Sequence, residues 1–166
     1  MKQFKYYILL GIFFVLVTGT LSHFFYQWSH QNVIISLFCP VNESVWEHMK
    51  LVFFPMLLYS IFLYRIFSSK LPCVTSSLPL TILYSTILVP VLFYTYTGIL
   101  GKNFMILDLL TFAVSVIAGF YILSSRSRSY KYSRLLRFLW IFVFLFMVCF
   151  FIFTYFPPHL PLFESP

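Results

Sequence analysis

Between Arg137 and Pro157 the chain reads FLWIFVFLFMVCFFIFTYF (138–156), an apolar run without a single charge. A hydrocarbon core about 30 Å thick takes ~20 such residues in an α-helix rising ~1.5 Å per residue. The run is therefore long enough to cross a bilayer. Pro157-Pro158 ends it, because proline gives no N–H to a helix and biases the preceding residue towards extended backbone. Before it stands a basic stretch carrying Arg126, Arg128, Lys131, Arg134 and Arg137.

Working outward, four more runs of the same kind appear. They cover about Tyr6 to Phe25, Ser44 to Phe67, Leu78 to Leu100 and Phe104 to Leu123. Ser44 with Glu47 fits an S-x-x-E capping box at the start of the second span. In the third, Pro79 suits the first turn and Pro90 predicts a kink. Five spans of ~20 residues use about 100 residues of the 166 present, so the chain is one membrane domain without space for a second. Lys2 and Lys5 followed by an apolar run also describe a signal peptide, but the A-x-A pattern is missing and four spans follow. An uncleaved first helix is expected.

Composition agrees. Hydrophobic residues make up 61% and charged residues 9%, with mean hydropathy +0.92. A soluble domain carries roughly 25% charged residues, so this chain cannot build a water-facing surface. The net charge of +7 does not point to nucleic acid, because the basic residues flank the apolar runs. Cys39, Cys73 and Cys149 lie in separate segments without CxxC or Cys/His metal spacing, so neither a disulfide framework nor a redox motif is expected.

Orientation follows from the loops. With the N-terminus cytoplasmic, Lys2, Lys5, Arg65, Lys70 and the five cations of the basic stretch lie inside, nine of eleven, and only Lys50 and Lys102 outside. The positive-inside rule favours this arrangement, and five crossings then put the C-terminus outside. The partner implied is the lipid bilayer of a cell membrane.

That orientation gathers the polar chemistry on one side. Glu43, Glu47, Asp108 and Glu164, with His23, His30, His48 and His159, all map to the outer half. Ionisable groups within spans are expensive and usually face a bundle interior or a wet cavity. His23 and Asp108 are the clearest cases. Glu43 and Glu47 are four apart and would share a face if both were helical. His23, Glu43, Glu47, His48 and Asp108 are accordingly the candidate catalytic or metal-binding cluster. Imidazoles and carboxylates from several helices can hold a divalent metal such as zinc, act as general acid and base, or relay protons or a cation.

Plainer roles stand beside these. Glu43 and Glu47 suit a helix N-terminus through its dipole, and Glu47 would complete the capping box. His48 and Lys50 read as interfacial, and His30, His159 and Glu164 as solvated. Asp108 is able to pair with Lys102 or to cap a helix near Asn103, and His23 to be a buried, hydrogen-bonded histidine. Tyr26, Trp28 and Trp46 fit an aromatic belt at the interface. Neither G-x-G-x-x-G, a Walker lysine, H-E-x-x-H nor G-x-S-x-G occurs.

The segment Gly19-Thr20-Leu21-Ser22-His23-Phe24-Phe25-Tyr26-Gln27-Trp28-Ser29 carries a resemblance. So, more specifically, does Pro40-Val41-Asn42-Glu43-Ser44-Val45-Trp46-Glu47-His48-Met49-Lys50-Leu51 with Phe53-Phe54-Pro55. Together they resemble a family of small bacterial membrane proteins of unknown function, marked by P-V-N-E-S-x-W-E-H-x-K-L and then F-F-P. The similarity extends to Tyr96–Gly101 and Tyr155–Phe163. It implies bacterial origin and a multi-span fold in the plasma membrane, and no activity.

Three functions remain open on these residues. A membrane scaffold or accessory subunit, with a protein partner or a second copy, suits the lack of a known chemical motif. A membrane-embedded hydrolase, zinc-dependent in one form, would act on a lipid-type substrate. A small cation or proton transporter would use the same acids and histidines at an outer vestibule.

Overall fold

A computed structural model describes residues 2–71, 73–127 and 133–165. The helices are α1 (Lys2–Trp28), α2 (Val33–Phe38), α3 (Val45–Phe67), α4 (Val74–Leu100), α5 (Met105–Arg126) and α6 (Ser133–Tyr155), followed by a 3-10 turn at Pro161–Phe163. All are helical, and the five longer ones are each long and apolar enough to cross a membrane. α4 packs against α3, α5 and α6, while α1 lies against α3 and α5. Short α2 touches α1 and α6 at one end of the bundle.

Several helices outrun their apolar stretches. α1 begins at Lys2 rather than Tyr6, α4 at Val74 rather than Leu78, and α6 at Ser133 rather than Phe138. Hydropathy locates the stretch that suits hydrocarbon, whereas the helix continues as long as its backbone bonds close. At α4 they do close: Ser77 N–H donates to the Cys73 carbonyl at 3.0 Å, and the Ser77 and Thr81 hydroxyls fold back on carbonyls four residues earlier. Pro79 therefore lies inside α4 and not in its first turn.

Prolines inside helices strip carbonyls of their usual partners, and the bundle uses two of those carbonyls. Pro79 cannot donate to Thr75 four residues back; the Trp140 indole N–H of α6 donates there instead, at 3.2 Å. Pro55 likewise leaves the Leu51 carbonyl free. Gly19 of α1 sits against it so closely that a Cβ would lie 2.6 Å from that oxygen. Small residues let helices approach in this way, and here the approach fixes α1 beside α3.

The ends of the bundle differ in charge. Lys5, Arg65, Lys70, Arg126 and Arg137 gather where α1, α4 and α6 begin and α3 and α5 end. Arg128 and Lys131 lie outside the described residues. The opposite end holds the acids and histidines of the described residues. Between the ends the outer faces are apolar: Ile141, Phe142, Phe144 and Ile152 of α6 are all exposed. Lipid suits such a surface better than water.

At the acidic end α1 closes in a Schellman turn. Gln31 N–H bonds the Tyr26 carbonyl at 3.0 Å and His30 N–H that of Gln27 at 3.1 Å. His30 holds φ +55°, a left-handed conformation that glycine adopts without strain. His30→Gly is expected to raise stability by up to about 1 kcal/mol, read as a higher midpoint in thermal unfolding in detergent. A lower midpoint would mean that the imidazole itself contributes.

Candidate metal centre

The centre is built on the segment before α3. Cys39 is extended, as a residue preceding proline should be. Burial pushes its thiol above the usual range, tempered by the Lys50 ammonium. The Asn42 side chain accepts from Ser44 N–H at 2.9 Å, and the Ser44 hydroxyl caps α3 by accepting from Glu47 N–H at 3.3 Å. The helix starts only at Val45, so Glu43 precedes it and shares no helical face with Glu47.

Glu43 instead lies between two imidazoles. Its Oε1 is 3.6 Å from Nε2 of His23 on α1, and its Oε2 is 3.4 Å from Nε2 of His48 on α3. The rings stand 5.4 Å apart, inclined by 34°. Ligand atoms of His23, Glu43 and His48 all lie within 4.8 Å of one another. Zinc bonds of ~2.1 Å at tetrahedral angles put ligand atoms about 3.4 Å apart. The two imidazole–carboxylate separations are already near that value.

The His48 tautomer sharpens the chemistry. Nδ1 lies 2.9 Å from the Ser44 carbonyl, which can only accept, so Nδ1 carries the proton. In the neutral ring the Nε2 lone pair then faces a carboxylate oxygen. Two lone pairs at 3.4 Å repel unless a proton or a cation lies between them. A carbonyl that holds the far nitrogen of a histidine is also the usual way a metal ligand is oriented. Both imidazoles are 29% exposed and Glu43 66%, so a solute from water reaches all three.

Asp108 lines an adjoining cavity of about 250 Å³, which Glu43 and His48 also line. Asn103 and Thr111 complete its polar side; Val45, Leu51, Val89, Phe93 and Phe112 form the apolar remainder. Asp108 accepts the Tyr96 hydroxyl of α4, and the Tyr96 oxygen accepts from Phe104 N–H at 3.4 Å. It neither pairs with Lys102, whose ammonium lies 4.9 Å over the Phe104 ring, nor caps α5.

Glu47 belongs to a different network. It is buried with Lys50, whose Nζ donates to Glu47 Oε2 at 2.7 Å, to the Ser36 carbonyl at 3.0 Å and to Thr154 Oγ1 at 2.6 Å. Val41 N–H also donates to Glu47 Oε2, at 3.0 Å. The capping box is thus half formed, because the Glu47 carboxylate passes Ser44 N–H to reach Val41. Lys50 is not interfacial but fully enclosed. Trp46 is buried too, against Phe146, Phe150, Phe153 and Phe163, while Trp28 remains 63% exposed. His30, His159 and Glu164 are exposed and stand apart from the cluster.

Of the five residues singled out by sequence, three converge, Asp108 shares a cavity with two of them, Glu43 and His48, and Glu47 turns away. Tyr96 and the Ser44 carbonyl escaped notice, since a hydroxyl twelve residues from its acid and a backbone oxygen leave no spacing signal. Lys50 had one: Glu47 three residues before it on the same helix. No curated protein and no solved structure matches the chain. A family model described as a family of unknown function, DUF6512, matches residues 1–166, and the chain belongs to that family.

Proposed function

We propose that this is a multi-span protein of the bacterial cell membrane. Its acidic end, facing outward, holds a divalent metal on His23, Glu43 and His48 and uses it to hydrolyse a lipid-type substrate. One observation carries the reading: ligand atoms from two imidazoles and a carboxylate lie within 4.8 Å of one another, with Nε2 of His48 turned on Glu43. Two nitrogens and an oxygen form a donor set that zinc takes, and three protein ligands leave a fourth position for water. The outward orientation rests on the cations at the other end. Labelling between Arg126 and Arg137 should succeed only from the cytoplasmic side; labelling from outside would reverse it.

The decisive experiment is metal analysis of detergent-purified protein. About one zinc per chain is expected, with affinity falling at least tenfold in His23→Ala and in His48→Ala. A wild-type protein that binds zinc no better than either variant would sink the reading.

A second role, as a scaffold or accessory subunit, draws support from the Glu47–Lys50 network, which ties α3 to α2 and α6 without touching the cavity. Its sign would be copurification of one partner, lost together with abundance when the network is broken. A transport route has less support. Among the described residues the acids and histidines keep to one end, leaving no acid or histidine to continue a path through the bundle.

A further inference from the structure

We infer that Asp108, held by Tyr96, is the proton acceptor opposite the metal centre, and that the substrate is a carboxylic ester or amide bearing a hydrocarbon chain. The inference rests on the metal reading above and assigns what that reading leaves open, the second catalytic group and the substrate class.

Cavity and hydrogen bonding carry it. Glu43, His48 and Asp108 line the same space. A solute that enters this cavity meets both Glu43 and His48 of the centre and the Asp108 carboxylate, the juxtaposition that a general base requires. Asp108 is fixed on one side only. Tyr96 takes Phe104 N–H on its oxygen, which directs its own proton to Asp108 Oδ1 and leaves Oδ2 free of any hydrogen bond among the described residues. Were Asp108 a structural cap, its oxygen would meet backbone N–H groups; it meets a phenol and a cavity.

The rest of the wall selects the substrate. Val45, Leu51, Val89, Phe93 and Phe112 are apolar and come from α3, α4 and α5. A cavity lined by both polar and apolar side chains suits a molecule with a carbonyl at one end and hydrocarbon at the other. A metal held by His23, Glu43 and His48 would supply Lewis acidity to the site; in the reaction Asp108 takes one proton from the attacking water, and the water oxygen bonds to the carbonyl carbon. The carbon–oxygen or carbon–nitrogen bond of the leaving group then breaks, and that group carries away the proton from Asp108. One water is consumed and nothing is oxidised or reduced.

The test uses zinc-loaded full-length protein in detergent micelles, with the p-nitrophenyl esters of a long-chain acid and of acetic acid as probes. The long-chain ester is expected to be cleaved with at least tenfold higher kcat/KM. Asp108→Asn, whose amide oxygen still accepts from Tyr96, should lower kcat about a hundredfold with KM and zinc affinity unchanged. Tyr96→Phe should lower kcat about tenfold with the same KM, and it reads the proposal should the Asn variant not fold. Zinc lost from Asp108→Asn would make Asp108 a ligand and overturn the assignment while leaving a metal centre in place. Unchanged kcat in both variants would overturn it as well. Wild-type protein that binds zinc but cleaves neither ester would remove the substrate class. Wild-type protein that binds no zinc would instead defeat the metal reading itself.

Discussion

Lys50→Met is expected to lower the stability of the bundle by roughly 3–5 kcal/mol, the cost of leaving one partner of a buried ion pair without the other. Lys50 is fully enclosed, and each of its three ammonium hydrogens has an acceptor: Glu47, the Ser36 carbonyl and Thr154. Methionine fills the same volume, so the loss is electrostatic rather than a cavity. Glu47 is left as a carboxylate with only Val41 N–H and, at 3.4 Å, the Thr154 hydroxyl beside it. Replacing both members should cost less than replacing Lys50 alone, because no charge is stranded. It will not restore the wild type, since Ser36 O and Val41 N–H lose their partners, at ~1–3 kcal/mol each. The double-mutant cycle, read by thermal or SDS-induced unfolding, isolates the pair. A Lys50→Met protein within about 0.5 kcal/mol of wild type would show that water reaches Glu47.

What could be read from the sequence, and what could not, divides along one physical line. Apolar runs and their flanking charges act through composition, so all five long helices and the separation of cations from acids are legible in the chain itself. Helix ends are less so, because Ser76, Ser77 and Lys2 continue a helix that hydropathy would have stopped. α2 escapes altogether: six residues with an Asn32 cap, between two turns, carry too little periodicity. At the site, the sequence correctly groups polar residues by end of the bundle but not by partner. Glu43 and Glu47 illustrate why. Their spacing of four implies a shared face only if both are helical, and the Ser44 cap lies between them. One consequently faces His23 and His48, and the other Lys50. Partner choice depends on where α1, α5 and α6 stand, which no local spacing encodes.

The placement of α1 leads to the second large effect. Gly19→Ala should cost about 1–3 kcal/mol by overpacking and weaken zinc binding by about a hundredfold, the upper part of the range for losing the orientation of a metal ligand. A methyl group at Gly19 would lie 2.6 Å from the Leu51 carbonyl oxygen and 2.7 Å from the Phe112 ring. The ring can turn, but the carbonyl is backbone of α3, so α1 itself must move outward. His23 follows Gly19 by four residues, one turn along the same face of α1. An outward shift therefore carries its imidazole away from Glu43, which α3 and its preceding segment hold still. Gly98→Ala is the matched control. It is also helical, meets nothing within 4 Å, and should gain up to about 1 kcal/mol from helix propensity while leaving zinc affinity unchanged. Equal behaviour of the two variants in zinc titration would mean that α1 is not held at Gly19, and that His23 reaches the centre by some other constraint. A Gly19→Ala protein that loses stability yet keeps full zinc affinity would separate packing from ligation, showing that the shift of α1 does not reach His23.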